Sequence, residues 1–192
     1  QSLEAITMFT TRKVAQMAAY FAECSGGTIN ILKLIKLMYL ADRESMHRHG
    51  TPISFDRFVS MDHGPVPSQS LNLVNGCATA KDGAVWDEWI SDRENHTVRM
   101  ERTFERSDLN ELSDADLEVQ SDIWKQFGHL SQWDLVKFTH EHLPEWTDPK
   151  GSSIPILDID IFRALGTPDD EAEELADELA SQRAIDKVFA SI

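Results

Sequence analysis

Five histidines, His47, His49, His63, His140 and His142, are the residues of this sequence best suited to metal-assisted chemistry. A zinc protease sets two histidines four apart on one helical face, so that both imidazoles reach the same ion. His140-Glu141-His142 sets them two apart, on different faces. A metal-dependent hydrolase would need a site assembled from separate segments, would hold zinc or iron tightly, and would stop in a chelator. No G-x-S-x-G elbow activates a serine, and Ser68 after Pro67 has no neighbour that marks it as a nucleophile. No Gly-rich loop precedes a Lys-Ser or Lys-Thr pair, so phosphate-loop chemistry is excluded. No catalytic residue, metal ligand or cofactor is assigned.

A second polar set is more informative. In INILKLIKLMYLADRESMHRHG (29–50), steps of 100° place Lys33, Lys36, Arg43 and His47 on one narrow stripe of a helix. Asp42 falls on the far side, among Ile31, Ile35, Met38 and Met46. A carboxylate in an apolar arc needs a partner, because an isolated buried charge costs several kcal/mol. Arg57, on the strand expected next, is the candidate: its guanidinium can offer two parallel hydrogen bonds. Asp42 and Arg57 are thus read as a structural polar core.

The elements that position these groups follow from the spacing. From Thr11 to Cys24, Val14, Met17, Ala18 and Phe21 predict a helix capped by Thr10 or Thr11 and ended at Gly26-Gly27. The Ile29–Gly50 helix is apolar on nearly every side, so other elements must wrap it. Phe58, Val59 and Met61 predict a short strand entering a Gly64-Pro65 turn, and Pro67 opens a helix that stops at Gly76. VWDEWIS and HTVRMERTF, between Val85 and Phe104, suit a hairpin. Ser113 with Asp116 and Ser131 with Asp134 resemble capping boxes of two helices around Gly128. That pair also looks like a helix-turn-helix, but its second helix offers only Lys137 as a cation, and a DNA reader needs several. Pro144, Pro149, Gly151 and Pro155 predict an extended surface segment, followed by a short helix from Ile159 to Leu165. Leu175, Leu179, Ile185, Val188 and Phe189 give the tail a recurring apolar side, so an amphipathic helix docked on the body is expected. Helical spacing puts Trp124 and Trp133 inside and leaves Trp86, Trp89 and Trp146 as interface candidates.

The expected fold is mainly α with a small antiparallel β element (α+β), a single-domain helical bundle around a buried central helix. Residues 1–166 form the body and 167–192 the acidic helix. The 192-residue chain carries a net charge of −15. General affinity for nucleic acid is therefore disfavoured, and a basic protein partner suits it better. Cys24 and Cys77 lie outside any C-x-x-C pattern, which fits a reducing cytoplasm. No apolar run reaches the length of a membrane span, and the start lacks a signal pattern. The opening on Gln1 instead of Met points to a trimmed leading segment.

KLIKLMYLADRESMHRHG (33–50), DRFVSMDHGPVPS (56–68) and LSQWDLVKFTHEHLPEW (130–146) resemble, in order, the signature blocks of the Panacea antitoxin domain, the family of SocA-like and phage-associated GepA-like proteins. The resemblance implies a non-enzymatic, bacterial or prophage antitoxin, encoded beside a toxin and blocking it by direct protein contact. One branch of the family instead acts as an adaptor that brings its toxin to a Clp-type protease. On the residues, toxin contact is expected at His63, Gly64, Pro65, Val66 and Ser68, at Lys33, Lys36 and His47, and along the acidic tail.

Overall fold

The computed structural model describes residues 8–191. The other residues within the expected bounds 1–166 and 167–192 lie outside it, as does the side chain of Phe189. Helix α1 (Thr11–Cys24) starts where Thr10 Oγ1 accepts the Lys13 N–H and ends at Gly26 and Gly27, both at positive φ. Strand β1 (Thr28–Asn30) follows, and α2 (Ile31–His49) starts where Asn30 Oδ1 accepts the Lys33 N–H at 3.1 Å. The central helix is thus two residues shorter at its start than the apolar run suggests, because Ile29 and Asn30 serve as strand and cap. Gly50, at φ +75°, ends α2 in the left-handed conformation that glycine adopts most readily.

Twelve of the nineteen α2 residues are buried. Among the described residues, α2 packs against α1, β1, β3 (Gly64–Pro67), α3 (Ser68–Val74), α5 (Asp114–Phe127), α6 (Gln132–His142) and α7 (Asp158–Ala164). The fold is α+β. A three-stranded antiparallel sheet has the order β3, β2 (Phe58–Met61), β5 (Ile154–Ile156), and β1 pairs with β4 (Thr97–Arg99) in a second.

Two local expectations are corrected. Gly64-Pro65 is not the turn: Gly64 pairs with Met61 and opens β3, leaving Asp62 and His63 at the hairpin tip. Pro65 and Pro67 suit an edge strand, which gives up ladder donors at no cost. In the second hairpin, Val85–Asp87 belong to α4 (Ala80–Asp87), capped by Thr79, so only a short stretch pairs, through Ile90 with Met100 and the Ser91 N–H with Arg99 O. Trp86 and Trp89, three apart on this turn of chain, are each 3% exposed. They are core residues.

Helices α5 and α6 both carry complete capping boxes, Ser113 with Asp116 and Ser131 with Asp134. The final helix, α8 (Asp169–Ala190), packs against α7 and buries Ala172 and Leu179. Its Arg183 pairs with Asp158 and donates to Asp56 O at 2.7 Å. Ile185 and Val188 are 46% and 61% exposed, so the apolar side of α8 is covered only over its first half. No helix among the described residues is long and apolar enough to cross a membrane.

Candidate functional site

The buried polar groups explain how the body is braced before any site is considered. Arg57 is exposed and does not meet Asp42. Asp42, fully buried, accepts the Ser54 N–H at 2.9 Å and the Ser54 hydroxyl at 2.5 Å. Burial pushes its carboxyl up to about 7, against the opposing pull of those two bonds. A hydroxyl and an amide only three residues from Arg57 took the role the guanidinium was given, because the loop at Ser54 folds inward while Arg57 turns out to solvent. Ser54 Oγ also accepts the Asp56 N–H at 3.0 Å.

Asp56 is the second buried carboxylate. It accepts the N–H groups of Arg57, Gln69 and Ser70 and the Ser70 hydroxyl, all within 3.0 Å. Helix α3 starts at Pro67, which has no side chain able to cap it. Asp56 therefore supplies from a distance the acceptor that the orphan amides of a helix N-terminus require. A third carboxylate, Glu145, accepts from Arg43 Nε at 2.5 Å and from the Tyr39 hydroxyl at 2.9 Å, tying the segment after α6 to the middle of α2.

Apart from these braces, the body carries a groove of about 630 Å³. Its floor is the first turns of α2, from Asn30 to Lys36. One wall is the β2–β3 hairpin, through Met61, Asp62, His63 and Val66, and the opposite wall carries Arg93 and His96. The start of α6 closes the end with Gln132 and Trp133. Trp133 is 57% exposed, and its ring meets His63 edge-on at 5.3 Å between centroids. This overturns its interior assignment: it stands at the open start of α6, off the side that buries Leu135, Val136 and Thr139. Trp146 is half-buried and not free for a partner, since its indole N–H donates to Met61 O and its ring stacks on His140 at 3.9 Å.

The residues expected to meet a partner are dispersed. His63 and Val66 line the groove. Gly64 and Pro65 are buried, and Ser68 is half-buried at the start of α3. Lys33 Nζ donates to Gly128 O at 2.6 Å and lies over the Trp124 ring. His47 is exposed but eleven residues beyond Lys36, roughly 16 Å along the axis. The stripe is therefore no continuous surface. Sequence reasoning missed Arg93, His96 and Trp133 as groove residues, since helical spacing placed Trp133 inside and no local pattern marks the other two.

Lys36 is the largest departure: its side chain is wholly buried, and Nζ donates to Pro65 O at 2.8 Å. A Cβ at Gly64 would lie 3.0 Å from that Nζ and 2.5 Å from Thr139 Oγ1. Glycine is thus needed for the hairpin to close over the ammonium, and Gly64 also sits at φ +101°. Desolvation lowers the Lys36 pKa to about 7. Between that value and 10.5 the unfolded chain binds a proton that the folded chain does not, so this group's burden on stability is full below about pH 7 and fades as the pH rises. The stability of Lys36→Met relative to the parent chain should therefore be highest near pH 6 and decline toward pH 10, read from urea unfolding at each pH. A difference independent of pH would show that Lys36 keeps an ordinary pKa.

Among the described residues, no group of three or more His, Cys, Asp or Glu side chains stands close enough to hold a metal ion. His140, stacked on Trp146, is held below its usual pKa by burial and by the Lys36 charge. Fold and groove together define an α+β domain whose open cleft is built on a braced central helix. The chain belongs to the antitoxin SocA-like, Panacea domain family, whose model matches residues 34–147. No curated protein and no solved structure matches it.

Proposed function

We propose that this chain is the antitoxin of a toxin–antitoxin pair and that it neutralises its toxin by binding it directly at the groove, without chemistry of its own. The family membership supports an antitoxin role. The observation that carries the binding mode is the groove rimmed by Trp133. A tryptophan more than half exposed beside a concave, partly apolar surface is the kind of anchor on which interface energy concentrates. The rim lies on rigid parts, the capped start of α6 and the closed β2–β3 hairpin, so little ordering is needed on binding.

The partner is taken to be the product of the adjacent gene. Co-expression of that product with the parent chain should restore growth and give a complex of fixed stoichiometry. Trp133→Ala should weaken the complex by about 2 kcal/mol or more, the range of interface anchors, with unchanged unfolding. Persistent growth arrest with the parent chain would reject the antitoxin reading. A proteolytic adaptor would instead show itself by toxin levels that rise when a Clp-type protease is removed.

A further inference from the structure

The groove presents a guanidinium, Arg93, on a chain of net charge −15. It stands at the wall near the His63 and His96 side chains and one carboxylate, Asp62, while the Lys36 ammonium is buried beneath the floor on Pro65 O. Asp62 is already engaged, accepting the Gly151 N–H at 2.8 Å. Arg93 is held in place by neutral acceptors: NH1 donates to Asn75 Oδ1 at 2.8 Å, and Nε and NH2 donate to Asn95 O at 3.3 and 3.1 Å. A guanidinium has five N–H groups, so two remain for a ligand among the described residues. Positioned this way, it loses little freedom on binding an anion.

We propose that the groove accepts a glutamate or aspartate side chain of the partner, its carboxylate on Arg93 and its flanking apolar residue against Trp133. This deepens the antitoxin reading and rests on the groove being the partner's seat. The acidic exterior and the single guanidinium act at different ranges. Net charge governs the approach of a basic partner from a distance, whereas a guanidinium at hydrogen-bonding range selects one group. A basic toxin with a single acidic side chain at its contact centre satisfies both. Ile31, Ile35 and Val66 in the lining give the flanking apolar residue further contact.

The test uses the full chain at low ionic strength and three short peptides. The first is blocked at both ends and carries one glutamate between two leucines; the second is its glutamine twin; the third is the glutamine twin with a free terminal carboxylate. Titration calorimetry should show the glutamate peptide binding about tenfold more tightly than its twin, the margin of one charge-assisted bidentate contact. Arg93→Gln should abolish that preference, and Arg12→Gln, whose side chain pairs with Glu88 elsewhere, should keep it. Trp133→Ala should weaken the glutamate and glutamine peptides alike. Equal binding of those two, binding of the free-terminus peptide alone, no binding at all, or a preference that survives Arg93→Gln each overturns the proposal. Toxin neutralisation that survives Arg93→Gln removes only this inference, whereas peptide selectivity without any neutralised toxin removes only the antitoxin reading.

Discussion

Glu145→Ala should cost about 3 kcal/mol of folding free energy, the lower end of the range for breaking a buried ion pair from one side. The Glu145 side chain is fully shielded and that of Arg43 is 17% exposed, so the orphaned guanidinium recovers only part of its hydration. The Tyr39 hydroxyl, buried in the core, loses its acceptor at the same time. Leaving a buried donor unpaired adds about 1–3 kcal/mol. The consequence reaches further than stability, because Glu145 anchors the chain just before the segment that crosses the hairpin. There Trp146 and Thr147 bond to Met61 O and Ser60 Oγ. Urea unfolding should show a large drop in midpoint for Glu145→Ala and a smaller one for Glu145→Gln, which keeps an acceptor for Tyr39. Adding Arg43→Met to Glu145→Ala should recover stability, since the stranded charge is then gone. A midpoint shift worth less than about 1 kcal/mol, the size of an exposed pair, would show that solvent reaches this contact.

What was legible in the sequence was whatever a single local pattern could carry. Four helices that join a side-chain cap to a clear apolar period, α1, α2, α5 and α6, lie close to their expected bounds because a Thr, Asn or Ser side chain and a period of 3.6 act within one turn, whereas α4, capped by Thr79 but burying only Trp86, reads as part of a hairpin. The wrapped central helix was legible for the same reason. Long-range pairing was not. β1 and β5 are three residues each, too short to show alternation, and each is defined by a partner distant in the chain, β4 or β2. The hairpin tip was misplaced because Gly-Pro is the stronger turn signal, yet here the glycine is required by the Lys36 and Thr139 side chains beneath it.

The polar core failed on a related ground. Asp42 was correctly recognised as an acid needing a partner, but charge complementarity pointed to Arg57 and the backbone decided otherwise. Phe55, buried at φ +56°, adopts a conformation uncommon for a bulky side chain. Nothing in the composition of PISFDRF announces it, yet this bend lies between Ser54 and Asp56, both of which join the buried network. The groove was half legible: His63 and Val66 lay in a recognisable block, whereas Arg93 and His96 come from a loop that meets them only in three dimensions.

Asp42→Asn should remove the pH dependence that Asp42 contributes to this corner of the core. The Asp42 carboxyl titrates at about 7 in the fold against 3.8 for an exposed aspartate. Between those values the folded chain holds a proton that the unfolded chain has released, so the stability this group contributes is complete below the lower value and lost as the pH rises through the upper one. The full span is on the order of 4 kcal/mol. Asparagine has nearly the shape of the protonated acid: its carbonyl oxygen can keep the Ser54 N–H bond, and its amide can donate to Ser54 Oγ once that hydroxyl turns from donor to acceptor. The two chains should therefore be about equally stable near pH 4, with the variant pulling ahead until the gap levels off above pH 7. Asp56, also raised by burial, is common to both chains and cancels in the difference, as does Lys36. Urea unfolding at closely spaced pH values reads that difference directly. A gap that stays flat from acid to neutral pH would mean that Asp42 is ionised throughout and that the Ser54 bonds alone compensate for its burial. A gap that opens as expected would show the Asp42 contribution to stability falling as the pH rises from acid to neutral. The Asp42 carboxyl at the centre of α2 would then be neutral where its contribution is complete, leaving Arg43 and Glu145 as the ion pair that joins α2 to the segment after α6.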